Sequence, residues 1–291
     1  MDSFNEMIKK IGEELNIKVT LLSDNWTKVL EKDDEIHYIT GYQFDLNGHG
    51  ISNIMDDKGL FYDMLKFKNI PIIEQYVIFN NYDKNKAIEY LKKHNNEIIV
   101  KANISNAGKE VFKVDNEIDL IKTIDKLFLK HYSISLCPFY KIKNEYRVII
   151  LNGTIRLIFG KEKPTIIGDG LHSIKELAND YNYLNELENI NYIPKKCEIV
   201  ELSYKFNLSR GAKSFTNINE ELKDKISNLA LKVTKELGIT FASVDIIDTD
   251  NNLLVLEANS GVTLNHFITQ NNSYDLVYNI YRDAIKLMFK R

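Results

Sequence analysis

The sequence predicts an α+β protein of two or three lobes, and three stretches carry that expectation. Two apolar, β-branched runs, Ala242 to Ile247 and Leu253 to Ala258, flank the polar Thr249-Asp250-Asn251-Asn252 and read as a hairpin. Residues 82 to 130 alternate helix, strand, loop, strand and helix. Leu222, Ile226, Leu229, Val233 and Leu237 recur at helical spacing just ahead of the hairpin, with Gly238 placed to end that helix. At 291 residues the chain is long enough to bury a substantial core.

The elements follow in order. Phe4, Met7, Ile8, Ile11 and Leu15 recur at helical spacing, and Val19 to Leu22 and Ile36 to Ile39 read as short strands, so residues 1–55 form a small α/β lobe. Asp56-Asp57-Lys58 opens a helix carrying Leu60, Phe61, Met64 and Leu65, closed before Pro71. A helix start favours acids over amines, so Lys58 points either to an anionic ligand or to a solvated lysine balanced by its two aspartates. Glu97 to Lys101 is an apolar strand ending in a lysine. The loop ANISNAGK, Ala102 to Lys109, then precedes Val111-Phe112. Its small residues suit a turn that brings N–H groups to phosphate oxygens, or a plain hairpin connection; the spacing is not that of a Walker loop.

Ile134 to Tyr140 brings Pro138 together with two aromatics, and KIKNEYRVIIL follows. By alternation Glu145, Arg147 and Ile149 share one strand face and Tyr146, Val148 and Ile150 the other. The acid and the arginine make either a mutual ion pair or two ligand contacts. After a strand at Thr154 to Phe159, PTIIGDG turns into a helix whose start, Ser173 with Glu176, is a capping box, with Ile174, Leu177, Ala178 and Leu184 as its buried stripe. Gly168-Asp169-Gly170 reads as a tight turn, and His172 has no assigned chemistry. Residues 199–216 are a strand running into a polar loop with Asn207, Arg210 and Gly211. Leu276, Val277, Ile280, Ala284 and Ile285 face inward from the last helix.

Composition excludes more than it names. A net charge of -3 offers no general attraction to nucleic acid or to anionic membrane. The opening MDSFNEMIKKIGEEL has no apolar signal core and no run is long enough to span a bilayer, so the cytoplasm is the expected compartment. Cys137 and Cys197 form neither a metal-ligand spacing nor a disulfide framework, and the six histidines are scattered.

The hairpin holds either a metal site or an ordinary pair of solvated acids. With its turn centred on Asn251, Asp245 stands opposite Glu257, and Val244 and Ile246 point to the other face. On the second strand alternation groups Leu254, Leu256 and Ala258 against Val255, Glu257 and Asn259. Two carboxylates facing across a hairpin repel unless something positive lies between them or both point to water. Asp, Glu and an Asn amide oxygen are the oxygen ligands that Mg²⁺ takes alongside substrate phosphates.

Taken together, Asp57-Lys58, Val100-Lys101 with its small-residue loop, Glu145-Tyr146-Arg147-Val148, Asn207-Leu208-Ser209-Arg210-Gly211, and Val244-Asp245 followed by Glu257-Ala258-Asn259 resemble the ATP-grasp superfamily. More narrowly, IIGDGLHSIKEL with IPKKCEIVELSYKFNLSRGA resembles the ATP-grasp domain of cyanophycin synthetases and bifunctional bacterial glutathione synthetases, over roughly residues 50–270. The chain departs from the family where Cys197 replaces a glycine, where Gly211-Ala212 replaces a Gly-Gly pair, and in a less glycine-rich phosphate loop. The related sequences are also fused to further catalytic domains.

The resemblance implies an ATP-grasp fold, two α/β lobes clasping ATP behind the short N-terminal lobe: residues 56–135 with the phosphate lysines, and 136–291 with the adenine hinge and metal ligands. It implies that Lys58 and Lys101 contact ATP phosphates, that a loop including Asn103, Ser105 and Gly108 closes over them, and that Cys137, Pro138, Phe139 and Tyr140 line the adenine pocket. Glu145 takes the ribose hydroxyls, Asn207 lies beside the nucleotide, and Asp245, Glu257 and Asn259 hold Mg²⁺. Arg147 and Arg210 face the acyl phosphate or the tetrahedral intermediate. The implied activity is an ATP-dependent carboxylate–amine ligase on small amino acid or peptide substrates, with a homodimer as the assembly the family suggests. The alternatives are a phosphotransferase or thioester-forming ligase on the same fold, for which His172 is the nearest phosphohistidine candidate, and a nucleotide-binding regulatory protein. The complete set Lys58, Lys101, Asp245, Glu257 and Asn259 speaks against the last.

Overall fold

A computed structural model describes residues 4–105, 110–178, 184, 187, 189–250 and 252–290. It begins with helix α1 (Phe4–Leu15) and four strands, β1 (Lys18–Leu21), β2 (Thr27–Lys32), β3 (Glu35–Thr40) and β4 (Gln43–Phe44), which form an antiparallel meander. The sequence reading missed β2, whose alternating Lys28, Leu30 and Lys32 hide a strand: Leu30 is buried and so is Lys28. The Lys28 ammonium donates to the carbonyls of Trp26 and Gly41 at 2.9 and 3.1 Å and lies 4.7 Å from the centre of the Phe4 ring.

Helices α2 (His49–Asp56) and α3 (Lys58–Phe67) follow. Asp57 is the N-cap of α3, its carboxylate accepting from the Leu60 N–H at 2.9 Å, which places Lys58 at the first helical position. Next come β5 (Tyr76–Ile78), α4 (Lys84–Lys93), β6 (Ile98–Ala102), β7 (Val111–Val114), α5 (Glu117–Phe128) and β8 (Ile134–Pro138). Their strands form one sheet in the order β5-β8-β6-β7, with α4 and α5 burying Ala87, Leu91, Leu120 and Ile124 against it.

The remaining elements are β9 (Ile142–Leu151), β10 (Thr154–Glu162), β11 (Thr165–Ile167), α6 (Ile174–Leu177), β12 (Ile199–Glu201), β13 (Lys213–Phe215), α7 (Glu220–Leu237), β14 (Phe241–Thr249), β15 (Leu253–Asn259), α8 (Asn265–Asn271) and α9 (Tyr274–Met288). The capping box at Ser173 is present and Gly238 ends α7 at φ +66°. The expected extension of α6 toward Leu184 falls largely outside the described residues. Strands β11 and β12 form a small ribbon, while the large sheet runs β13-β10-β9-β14-β15.

The two faces of that large sheet do different things. On one, Tyr146, Val148, Ile150, Ala242, Val244, Ile246, Val255 and Ala258 pack under α2, α3 and α7 in a dry core. On the other, Ile149, Leu157, Phe159 and Phe241 join α8, α9, α1 and the N-terminal meander through Phe44, Phe267, Tyr281 and Phe4. The second face is apolar only in part. The rest carries charge.

Candidate active site

Antiparallel pairing sets Asp245 beside Arg147 on one side and Glu257 on the other, so Glu257, Asp245 and Arg147 form a row across β15, β14 and β9. One step along, Ile247, Glu145 and Lys161 form a parallel row. The predicted facing of Asp245 and Glu257 is therefore present, as is the shared face of Glu145 and Arg147. Those two do not pair with each other. Arg147 donates to Asp245 from Nε at 2.8 Å and from Nη2 at 2.6 Å, and Lys161 bonds Glu145 and reaches Asp245 at 3.3 Å. Asp245 is 1% exposed and Lys161 4%, so both ions are desolvated and each depends on the other. Burial alone would raise the Asp245 carboxyl, but the two adjacent cations hold it well below the usual carboxylate range. Burial pushes the Glu145 carboxyl up, against the pull of Lys161.

Sequence reasoning did not find Lys161. It sits two residues beyond Phe159 on the same face of β10, a strand that runs past the predicted Phe159 end to Glu162. Its signal was the Phe159/Lys161 alternation, readable only once β10 is paired with β9.

The second hairpin strand departs from simple alternation. Asp245 pairs with Glu257 but Ile246 pairs with Val255, which leaves Leu256 as the extra residue of a β-bulge. The predicted face groups are corrected accordingly. Val255 lies in the dry core with Ala258, and Leu254 and Leu256 turn to the side of Glu257. There they meet Ile247, and across from them Ile99, Val111 and Cys137 of the smaller sheet, with Phe139 and Tyr140 at the connection. The result is an apolar cluster between the two sheets, next to the charged rows. Tyr204 packs against it, its hydroxyl donating to the Val111 carbonyl at 3.2 Å and its ring edge-on to Phe139 at 5.9 Å. The Lys113 ammonium stands 4.0 Å from the centre of the Phe139 ring. Pro138 ends β8 opposite Ile98. The Tyr140 hydroxyl accepts from the Glu74 N–H at 3.1 Å, and burial pushes the Cys137 thiol up.

The lysines come from β6 of the smaller sheet and from the start of α3. Lys101 is buried on β6, and Lys58 at the start of α3 donates to the carbonyls of Asn103 and Ser105 at 3.2 and 2.9 Å. The Asn103 side chain accepts from the Gly59 N–H at 3.0 Å, and the Ser105 hydroxyl donates to the Ala102 carbonyl at 3.2 Å. Burial, helped by nearby Lys101, pushes the Lys58 ammonium down to about 8, with Glu257 the largest opposing influence. An amine held below its ordinary value at a helix start is a site short of negative charge. Gly108, expected on the closing loop, lies outside the described residues.

Other expected residues have local roles. The Asn207 side-chain oxygen accepts from the Ser209 N–H and hydroxyl at 3.0 and 2.7 Å and caps the single turn Leu208–Arg210, which ends at Gly211 with φ +100°. Arg210 ends that turn, shortly before β13, whose Ser214 pairs with Lys161. His172 is exposed and bonded to Asp169 at 2.6 Å, and Asp169 also accepts from the Leu171 and His172 N–H groups, so this pair shapes a turn.

Among the described residues no three His, Cys, Asp or Glu side chains converge as a metal cage. Mg²⁺ needs only one or two carboxylates beside substrate phosphates, so the donors must be judged singly. Glu257 accepts from the Asn259 amide at 3.1 Å, which leaves its second oxygen and the Asn259 carbonyl open, and no cation stands within ion-pair distance among the described residues. That pair fits a hard cation. Asp245 fits less well, because three of a carboxylate's roughly four acceptor positions are taken by Arg147 and Lys161.

The comparisons with known proteins show that this chain has the ATP-grasp fold. Residues 198–281 match the RimK-like ATP-grasp domain. The chain is 24% identical over 265 residues to a glutathione biosynthesis bifunctional protein of Pasteurella multocida, covering 77% of this chain and 34% of that one. A Listeria welshimeri counterpart is 21% identical, over 85% of this chain and 35% of its own length. The chain thus spans about a third of these relatives. Among solved structures, a bifunctional glutathione synthetase from Pasteurella multocida aligns over 96% of this chain and 44% of its own, with a TM-score of 0.56 and 19% identity. A D-alanine–D-alanine ligase from Bacillus anthracis aligns over 82% and 70%, with a TM-score of 0.57 and 16% identity. The ATP-grasp ligase PsnB, complexed with minimal precursor, Mg and ADP, aligns over 84% and 62% with a TM-score of 0.52 and 13% identity.

Proposed function

We propose that this chain is an ATP-dependent carboxylate–amine ligase that forms an amide or peptide bond through an acyl phosphate and releases ADP and phosphate. The observation that supports it most is the junction of an apolar inter-sheet cluster with the rows Glu257-Asp245-Arg147 and Glu145-Lys161, with Lys58 and Lys101 close by. Moving a phosphoryl group onto a carboxylate brings two anions together, so fixed cations and excluded water are the main requirements. In this reading the base of ATP packs against the apolar cluster at Cys137 to Tyr140, and Lys58 and Lys101 take phosphate charge. Glu145, enclosed with Lys161, serves more to hold that lysine than to receive ribose hydroxyls. Arg147, fixed by Asp245, and Arg210, on its capped turn, stabilise the acyl phosphate and the adduct formed when the amine attacks. Glu257 and Asn259 would hold Mg²⁺, which supplies Lewis-acid neutralisation of the phosphates when bound.

The relatives named for glutathione synthesis and D-alanine–D-alanine ligation support amino acid or peptide substrates. No described helix is long and apolar enough to cross a membrane, and we read the protein as cytoplasmic, with a homodimer as the working assembly. His172, held in an exposed turn, offers no support for a phosphohistidine enzyme.

The test is to incubate the protein with ATP, Mg²⁺ and pooled amino acids, following ADP and phosphate and scanning for new masses. ADP release that depends on one pool, with a product equal to two components less water, is the expected outcome. Stoichiometric phosphorylation of a substrate with no condensation product would replace the ligase by a phosphotransferase.

A further inference from the structure

We infer that Lys161 takes the place of a second metal ion, so that the site binds one divalent cation per nucleotide, on Glu257 and Asn259, while Asp245 is a positioning residue for Arg147 and Lys161. This rests on the nucleotide-binding reading above. The Lys161 ammonium lies between two carboxylates on different strands, bonded to Glu145 and 3.3 Å from Asp245. That is the bridging position a dication would take between two acids of one face. It is already filled by a group that cannot easily leave. Lys161 is 4% exposed, and swinging it away would strand a desolvated ammonium and two buried carboxylates together.

The charge balance leads the same way. Glu145 and Asp245 are matched by Lys161 and Arg147, which leaves no negative charge on this part of the sheet to attract a dication. Both oxygens of Asp245 accept from Arg147, and one also faces Lys161. Glu257 is different. Its one hydrogen bond among the described residues comes from a neutral amide, and it lies near Lys58 at the start of α3, where phosphates would bring the metal. A cation entering there meets Glu257 and Asn259 first and is repelled by Arg147 and Lys161 beyond Asp245.

The experiment counts Mn²⁺ bound with a non-hydrolysable β,γ-imido ATP, by electron paramagnetic resonance and calorimetry and without any acceptor substrate. The wild-type protein is expected to hold one Mn²⁺ per chain. Lys161→Met should admit a second, its affinity rising by about tenfold or more over any second ion in the wild type. Asp245→Asn should keep the first ion within about tenfold of wild type, while Glu257→Gln should weaken it by about a hundredfold or more. Two tight ions in the wild type, no second ion in Lys161→Met, or loss in Asp245→Asn equal to that in Glu257→Gln would each overturn the inference. If Lys161→Met does not fold, the comparison of Asp245→Asn with Glu257→Gln decides. Two ions bound with the analogue sink this inference alone; no binding of analogue or metal sinks the nucleotide reading with it.

Discussion

Replacing Lys58 by methionine should make the nucleotide-free protein more stable and the nucleotide-bound protein far weaker. The Lys58 ammonium is held down to about 8 from an ordinary 10.5, first by burial and then by Lys101. At about 1.4 kcal/mol per pH unit, keeping it charged at neutral pH costs about 3 kcal/mol. The sign follows from linkage. The unfolded chain holds this proton up to 10.5 and the folded chain only to about 8, so the cost is fully present below pH 8 and is relieved between about 8 and 10.5, where stability rises with pH. Methionine removes the cost but also removes the bonds to the Asn103 and Ser105 carbonyls, at about 1 kcal/mol each, for a net gain of about 1 kcal/mol. For a chain of this size that raises Tm by about 2 °C, readable by calorimetry at pH 7. A bound triphosphate would offset the same cost, restoring the ammonium toward its ordinary value. Nucleotide binding near pH 8.5 should therefore take up protons, seen as a calorimetric heat that varies with the ionisation enthalpy of the buffer, and Lys58→Met should abolish that dependence. A lower Tm in Lys58→Met, or binding heats independent of buffer in the wild type, would refute the argument.

Three further outcomes follow from the geometry. Arg147→Leu leaves Asp245 buried beside a single, more distant cation and should cost about 3–5 kcal/mol in chemical denaturation, far more than the median surface ion pair. Val255→Ala, in the dry core because of the bulge, should cost about 1–3 kcal/mol, whereas Leu254→Ala should cost less stability but weaken nucleotide binding. The reverse order of the two would show that the hairpin alternates without a bulge. Cys197 adopts φ +67°, a left-handed conformation that a side chain disfavours by about 1 kcal/mol, so Cys197→Gly should raise Tm by about 2 °C.

What the sequence by itself determined is what depends on neighbours in the chain. Helical spacing marked α1 and α7, Ser173 and Glu176 marked a cap, and Gly238 a terminus, because these depend on bonds spanning a few residues. Alternation sorted Glu145 and Arg147 from Tyr146 and Val148, and a single turn paired Asp245 with Glu257, because side chains in a strand must point alternately. The tertiary structure decided which charges meet. Parity cannot say that β10 and β14 flank β9, so it could suggest an ion pair between Glu145 and Arg147 but not the actual partners, Lys161 and Asp245, 16 and 98 residues away. Parity also fails at Leu256, where one extra residue reverses the faces of Leu254 and Val255 and turns Leu254 toward the cluster between the sheets. Desolvation, which gives Lys58 and Lys161 their chemistry, exists only once other parts of the chain have excluded water around them.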